Sequence, residues 1–416
     1  MPSIEHIGAA IFGIALVHTF AAKAFERLAH HSKRHAGLFH LLGEVEVVFG
    51  FWAFVLVAVM AVLSGGAQAV AYAESRQYTE PLFVFVIMVV AASRPVLAAI
   101  RALVATLAAL APIRASVAQV WISLALVPLA GSLITEPAAM TLAALMLAPL
   151  VFRPGMPEWM KYGALGVLFV NVSIGGTLTN FAAPPVLMVA ATWDWDSAFM
   201  AARFGWKAAI ALLLNATVIT AVMRSRLTGI DPGHALAVEP SVPRIVGLIH
   251  LGFLAAVVAF AHHPVVFMGL FLLFLGLTQA YSRHQSPLLL KEALLVGFFL
   301  AGLVVLGGLQ QWWLQPIVSS LGPTALYFVA LGLTAITDNA ALTYLGSLVQ
   351  GMSDLDKYLL VAGAVAGGGL TVIANAPNPA GVTLLKAGFE DESIGALGLL
   401  LGAALPTAVA ALMFLL

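Results

Sequence analysis

Apolar residues in this chain fall into long runs, and polar residues collect between the runs or at isolated breaks inside them. A membrane-crossing helix needs roughly 20 apolar residues. The runs at 7–29, 38–64, 80–110, 116–152, 161–192, 199–224, 244–262, 264–282, 289–309, 322–353, 357–385 and 393–416 are the candidates. Two of them, 116–152 and 322–353, are too long for one crossing. Each has a polar break near its middle, Thr135-Glu136-Pro137 in one and Thr337-Asp338-Asn339 in the other. Each is therefore expected to form a helical hairpin that enters the membrane and turns back. The runs 161–192 and 357–385 are interrupted by Gly, Pro and Asn and are expected to be broken helices. Irregular backbone at membrane depth survives only where protein or a water-filled cavity satisfies it, so all four breaks should face inward. The expected fold class is an all-α polytopic membrane protein.

The breaks are related to one another. ITEPAAMTLAAL from Ile134 and ITDNAALTYLGS from Ile336 share five of twelve residues, with Glu136 opposite Asp338. GGTLTNFAAPPV from Gly175 and GGGLTVIANAPN from Gly367 share six of twelve. The two motifs occur in the same order in each half. Arg114 and Arg153 flank the first hairpin, and Asp354, Asp356 and Lys357 follow the second. Because Lys and Arg favour the cytoplasmic side, the hairpins should open to opposite faces. Threading the chain with both termini outside leaves only Arg76, Arg203, Lys207 and Lys357 on the outer side. Two inverted repeats follow, each with a re-entrant hairpin and a broken helix, which is an organisation found in secondary transporters. Residues 1–37 would be an extra N-terminal transmembrane helix, 38–226 the first repeat, 227–263 a cytoplasmic linker with a connecting helix, and 264–416 the second repeat.

Composition agrees. Hydrophobic residues are 62% of the chain and charged residues 9%, against about 25% charged in a soluble domain; the mean hydropathy is +1.02. The N-terminal run lacks a small-residue cleavage site and is expected to be a retained span. The chain has no cysteine and no net charge, so disulfides, thiolate metal sites and nucleic-acid binding are not expected. The absence of G-x-x-x-x-G-K-[ST] argues against a nucleotide-driven pump, and no His-x-x-Glu-His or comparable cluster suggests an enzyme.

The candidate chemistry lies at the breaks. A broken helix offers free N–H groups at one end and free carbonyls at the other. Asp338, between Thr337 and Asn339, is the leading candidate for exchanging H⁺ and Na⁺, because a carboxylate at membrane depth must be paired, protonated or ion-bound. It could equally be a helix N-cap. Glu136, beside Thr135, is its counterpart. The first broken loop supplies Thr177, Thr179 and Asn180, and the second Thr371, Asn375 and Asn378. Their oxygens suit a hard cation, or could merely satisfy broken backbone. Glu44 and Glu46, two apart, point to different helix faces; one could serve a proton path, but a pair with Arg94 or a snorkelled interfacial position is the expected reading. His30, His31, His35 and His40 sit with Lys33 and Arg34 in a basic loop.

These motifs resemble the ion transporter superfamily, which includes sodium/proton antiporters, arsenite exporters and sodium-coupled carboxylate carriers. Gly175 to Val186 is similar to the loop of the antiporter and arsenite-exporter branch in which Gly-Gly-Thr leads to Pro-Pro. Thr337 to Ala340, TDNA, is similar to that branch's hairpin tip. Glu136-Pro137 departs from the polar amide or serine of many relatives, and the carboxylate carriers' Ser-Asn-Thr tip is absent. The resemblance implies a bacterial inner-membrane sodium/proton antiporter working by alternating access, with an anion or oxyanion carrier as the alternative. It would carry no cofactor beyond transported Na⁺ and H⁺. Its partners would be inorganic ions and the lipid bilayer, with a homodimer left open.

Overall fold

The computed structural model describes residues 3–32, 34–110, 112–227 and 242–416. Most of the linker expected at 227–243 lies outside the described residues. The described residues contain helices and no strand, as lipid demands of a chain that must satisfy its own backbone polar groups.

The first six helices are α1 (Ile4–His31), α2 (Ala36–Gly43), α3 (Val45–Ser64), α4 (Gly66–Glu74), α5 (Thr79–Ala91) and α6 (Arg94–Leu110). Next come α7 (Ala115–Leu124), α8 (Leu126–Ile134), α9 (Glu136–Leu147), α10 (Glu158–Gly175), α11 (Pro184–Ala190), α12 (Ser197–Met200) and α13 (Trp206–Met223). After α14 (Arg244–Ala259) and α15 (Pro264–Ala280) the chain continues through α16 (Leu290–Gly307), α17 (Gln311–Ser319), α18 (Pro323–Thr334), α19 (Asn339–Ser347), α20 (Asp354–Gly367), α21 (Asn378–Leu385) and α22 (Ala396–Leu415).

Five described stretches are long and apolar enough to cross a membrane: Ile4–Ala22, Glu46–Ser64, Ser197–Leu227, Leu290–Gly307 and Ala396–Leu415. The protein is a multi-pass membrane protein. Several expected runs prove to be more finely divided than their hydropathy suggests. The run 38–64 is cut at Glu44 into α2 and α3. The run 80–110 bends by 63° between α5 and α6, at buried Ser93, whose hydroxyl donates to the Val90 carbonyl at 2.7 Å.

The run 116–152 breaks twice. The expected break falls at Thr135, and a second bend of 42° separates α7 from α8. Proline at 128 has no N–H for the carbonyl four residues earlier, that of Leu124. Asn171 of α10 replaces it, donating to the Leu124 oxygen at 2.7 Å, and accepts in turn from Asn215 of α13 at 3.0 Å. At the second break, residues 335–338 separate α18 from α19.

Small residues let these helices meet at backbone distance, as is usual in membranes. On α10, a Cβ at Gly166 would lie 2.3 Å from the Gly402 carbonyl carbon of α22. Replacing Gly166 with leucine should separate the two helices, at a cost of about 1–3 kcal/mol typical of overpacking. A lower melting temperature in detergent is expected; an unchanged one would mean that α10 and α22 are not in backbone contact.

Candidate functional site

The first hairpin turns on one strained residue. Thr135 has φ 80°, a left-handed conformation that costs a non-glycine residue of order 1–3 kcal/mol. Pro137 in the first turn of α9 needs no backbone donor. The turn is tight enough that a Cβ at Gly131 of α8 would lie 3.2 Å from that of Ala139 in α9. It delivers Glu136 to a fully buried position. Glu136 Oε2 accepts from Asn375 Nδ2 at 2.8 Å.

Gly175 and Gly176 let the first broken loop approach. A Cβ at Gly175 would meet the Pro128 carbonyl at 2.4 Å, and one at Gly176 would meet Glu136 Oε1 at 2.8 Å. Ser132 of α8 fastens the loop. Its hydroxyl donates to the Gly175 carbonyl at 2.5 Å and accepts from Leu178 N–H at 3.0 Å, while its own carbonyl accepts from Thr179 Oγ1 at 2.7 Å. Thr177 Oγ1 donates to the Ile174 carbonyl at 2.6 Å.

Asp338 is the N-cap of α19: its Oδ1 accepts from the N–H groups of Ala340 and Ala341 at 2.8 and 3.1 Å. It is partly exposed, whereas Glu136 is sealed. Thr337 Oγ1 donates to the Leu333 carbonyl at 2.9 Å and Thr371 Oγ1 to the Ala335 carbonyl at 2.8 Å, which ties the second broken loop to the second hairpin. Asn378 Nδ2 donates to the carbonyls of Gly368 and Thr371 at 2.8 and 2.9 Å. Asn339 Nδ2 reaches Ser173 Oγ of α10 at 3.5 Å, and that hydroxyl donates to the Val365 carbonyl of α20 at 2.8 Å.

The structure thus brings Thr135, Glu136 and Asn375 together. It places Asn339 and Asn378 around the nearby crossing of α10 and the second broken loop, where Ser173 meets Gly368. Asp338 stands at the head of α19, next to Asn339 of that crossing. Asn180 is not brought in: its Nδ2 donates to the Trp195 carbonyl at 3.0 Å and its Oδ1 accepts from Ser197 at 2.8 Å. Ser132, Ser173 and Asn171, which sequence reading missed, make contacts as close as those of the predicted residues. A lone Ser or Asn inside an apolar helix carries no pattern that marks it.

The remaining polar atoms are almost all of one kind. Glu136 Oε1, Thr135 Oγ1, Thr334 Oγ1, Asn339 Oδ1, Asn375 Oδ1 and Asn378 Oδ1 are buried and receive no hydrogen bond. Each of the three amides spends its N–H on the protein and leaves its oxygen bare. Buried polar atoms are normally satisfied, and bare oxygens around a carboxylate suit a hard cation. Among the described ion pairs, none involves Glu136 or Asp338.

Residues 3–416 match the model of a family described as "Putative Na+/H+ antiporter". No curated protein matches the chain. Since the family match runs through both hairpins, both broken loops and nearly the whole length, the chain belongs to this Na⁺/H⁺ antiporter family.

Proposed function

We propose that the protein exchanges Na⁺ for H⁺ by alternating access across a bacterial inner membrane, with Asp338 and Glu136 as the carboxylates of one site. The observation that carries this reading is the set of buried, donor-less oxygens beside Glu136 and around Asn339 and Asn378. The carboxylate and amide oxygens among them only accept, which suits positive charge, and the two threonine hydroxyls can present lone pairs to the same ion. Asp338, being partly exposed, is the acid that exchanges its proton, and Glu136 with Asn375 forms the sealed side of the shell. The hydroxyls of Thr337, Thr177, Thr179 and Thr371 already donate to backbone, which leaves their lone pairs for an ion; Asn180 serves its own loop.

The proposal includes the inverted-repeat organisation and the domain boundaries given above, with both termini outside. Reciprocal packing supports it. The helix after the first tip, α9, packs on α21 of the second broken run, and the helix after the second tip, α19, packs on α11 of the first.

Asp338→Asn keeps an N-cap acceptor but cannot carry a proton. Reconstituted in liposomes, that variant should fold with a near-native melting temperature and show no Na⁺-driven proton flux. Wild-type flux from it would reduce Asp338 to a cap.

One carboxylate serving two cations also fixes the pH dependence. A protonated acid is a poor Na⁺ ligand, and linkage makes the competition reciprocal. Na⁺ affinity measured by calorimetry should improve by up to about tenfold per pH unit while the site holds its proton, then level off once the proton is gone. The slope should vanish in Asp338→Asn. A pH-independent affinity in the unaltered protein would refute the shared site.

A further inference from the structure

Two cavities outside the candidate site open along one exposed face of α13. The first, of about 520 Å³, is lined by Arg114, Ala221, Arg224 and Ser225. The second, of about 470 Å³, lies between α10, α13 and α22, with Trp159, Gly163, Leu214, Val218 and Leu405 in its walls. Leu214, Val218, Ala221 and Ser225 are all exposed. They follow one another at spacings of four, three and four residues, which is one stripe of a helix. That stripe joins the two cavities.

The first cavity is held in shape by hydrogen bonds. Ser116 Oγ of α7 donates to the Leu227 carbonyl at 2.8 Å, and Trp121 Nε1 donates to Thr217 Oγ1 at 3.0 Å. These bonds fix the start of α7, preceded by Arg114, against the end of α13, followed by Arg224. Arg153 joins the same end, its Nη2 donating to the Arg226 carbonyl at 3.1 Å. None of the ion pairs among the described residues involves Arg114 or Arg224, and the cavity they line holds no carboxylate.

The second cavity is an apolar groove. Its floor is shallow in side chains because α10 and α22 meet on glycine, where a Cβ at Gly402 would collide with the Tyr162 carbonyl. Asn215, the amide in its wall, is spent inside on Asn171 Oδ1 and the Pro406 carbonyl. α10 and α13 are antiparallel: Asn171 meets Asn215, and a Cβ at Gly163 would lie 2.9 Å from Ile219 Cδ1. One turn farther toward that end stand exposed Trp159 on α10 and Met223 on α13. Trp favours the headgroup level of a bilayer, so Arg224 lies at that level too. From there to Leu214 the stripe runs about 16 Å, close to half of a hydrocarbon core of about 30 Å.

This face therefore offers positive charge at the headgroup level and an apolar furrow one leaflet deep. Basic pockets between membrane helices suit anionic headgroups, and guanidinium groups make strong charge-assisted bonds to phosphate. A second copy of the chain packed two-fold on the same face would bring like arginines together, which disfavours self-association there. We propose that Arg114 and Arg224 bind the phosphate of an anionic phospholipid, one acyl chain of which lies in the groove between α10, α13 and α22.

Delipidated protein in neutral detergent, titrated with phosphatidylglycerol, should gain one tightly bound lipid by native mass spectrometry and a higher melting temperature. Phosphatidylcholine with the same chains should bind much more weakly, and inorganic phosphate should give no shift. Arg114→Gln combined with Arg224→Gln should weaken phosphatidylglycerol binding on the order of thirtyfold, the weight of two basic residues at an anionic surface. Arg114→Lys with Arg224→Lys should retain most of it, which separates lost charge from a lost fold. Val218→Trp, which fills the groove, should weaken binding with both arginines in place. Equal binding of the two lipids, a shift with phosphate alone, or undiminished binding in the glutamine variant would overturn the proposal. So would a loss of self-association in Val218→Trp without any change in lipid affinity, which would make the face a contact between copies.

Discussion

Polar backbone cannot be left bare at membrane depth, and this protein breaks its helices there. Every break creates carbonyls and N–H groups that water is not present to satisfy, so each must be answered by a side chain or by another break. Proline at 128 frees the Leu124 carbonyl, and Asn171 answers it. The turn at 335–338 leaves the Ala335 carbonyl to Thr371. The loop at Gly175–Leu178 is answered by Ser132 on both its donor and acceptor sides. The broken segments therefore have to lie against one another, because each supplies what the other lacks. The glycines at 175, 176 and 368 allow this: side chains there would collide with Pro128, Glu136 and Ser173.

The same accounting gives the centre its electrostatic character. Amide side chains are symmetric suppliers, offering both donors and an acceptor. Here Asn339, Asn375 and Asn378 all turn their N–H groups to the protein, and the oxygens that remain have no donor. Two carboxylates are added to this excess of acceptors. The cation preference proposed for this centre follows from how the amides spend their donors, Asn378 on backbone carbonyls, Asn375 on Glu136 and Asn339 on Ser173.

Much of this was legible in the sequence, for physical reasons. Glu136-Pro137 and Asp338-Asn339 stand out because an acid beside a helix-starting residue inside an apolar run has few structural uses, and both lie at breaks in the structure. Gly-Gly followed by Thr, Asn and Pro marked the broken loops equally well. What could not be read was direction. Asn180 has the residue type and spacing of a ligand, yet it turns to Trp195 and Ser197, partners set by the tertiary path of the next loop. Glu44 and Glu46 looked alike from hydropathy, and only the packing of α3 on α16 shows that Glu44 pairs with Lys291. The bend at Ala125 had a visible cause in Pro128, but the long apolar run concealed it.

The two central carboxylates differ in what holds them, and this bears on how an exchange cycle could be coupled to movement. Asp338 is held by N–H groups of the helix it caps, two and three residues away. Those donors travel with it, so its carboxylate keeps a local source of stabilisation wherever the hairpin goes. Glu136 is held by Asn375, 239 residues along the chain, across the contact between α9 and α21. Any motion that parts those helices removes the donor from a fully buried carboxylate, and a charged group left so is penalised by several kcal/mol. Such a motion is tolerable only if Glu136 gains a proton or a cation as it loses Asn375. In the proposed cycle Asp338 can therefore trade ions while the helices stay in place, and Glu136 makes their separation conditional on the ion that is bound.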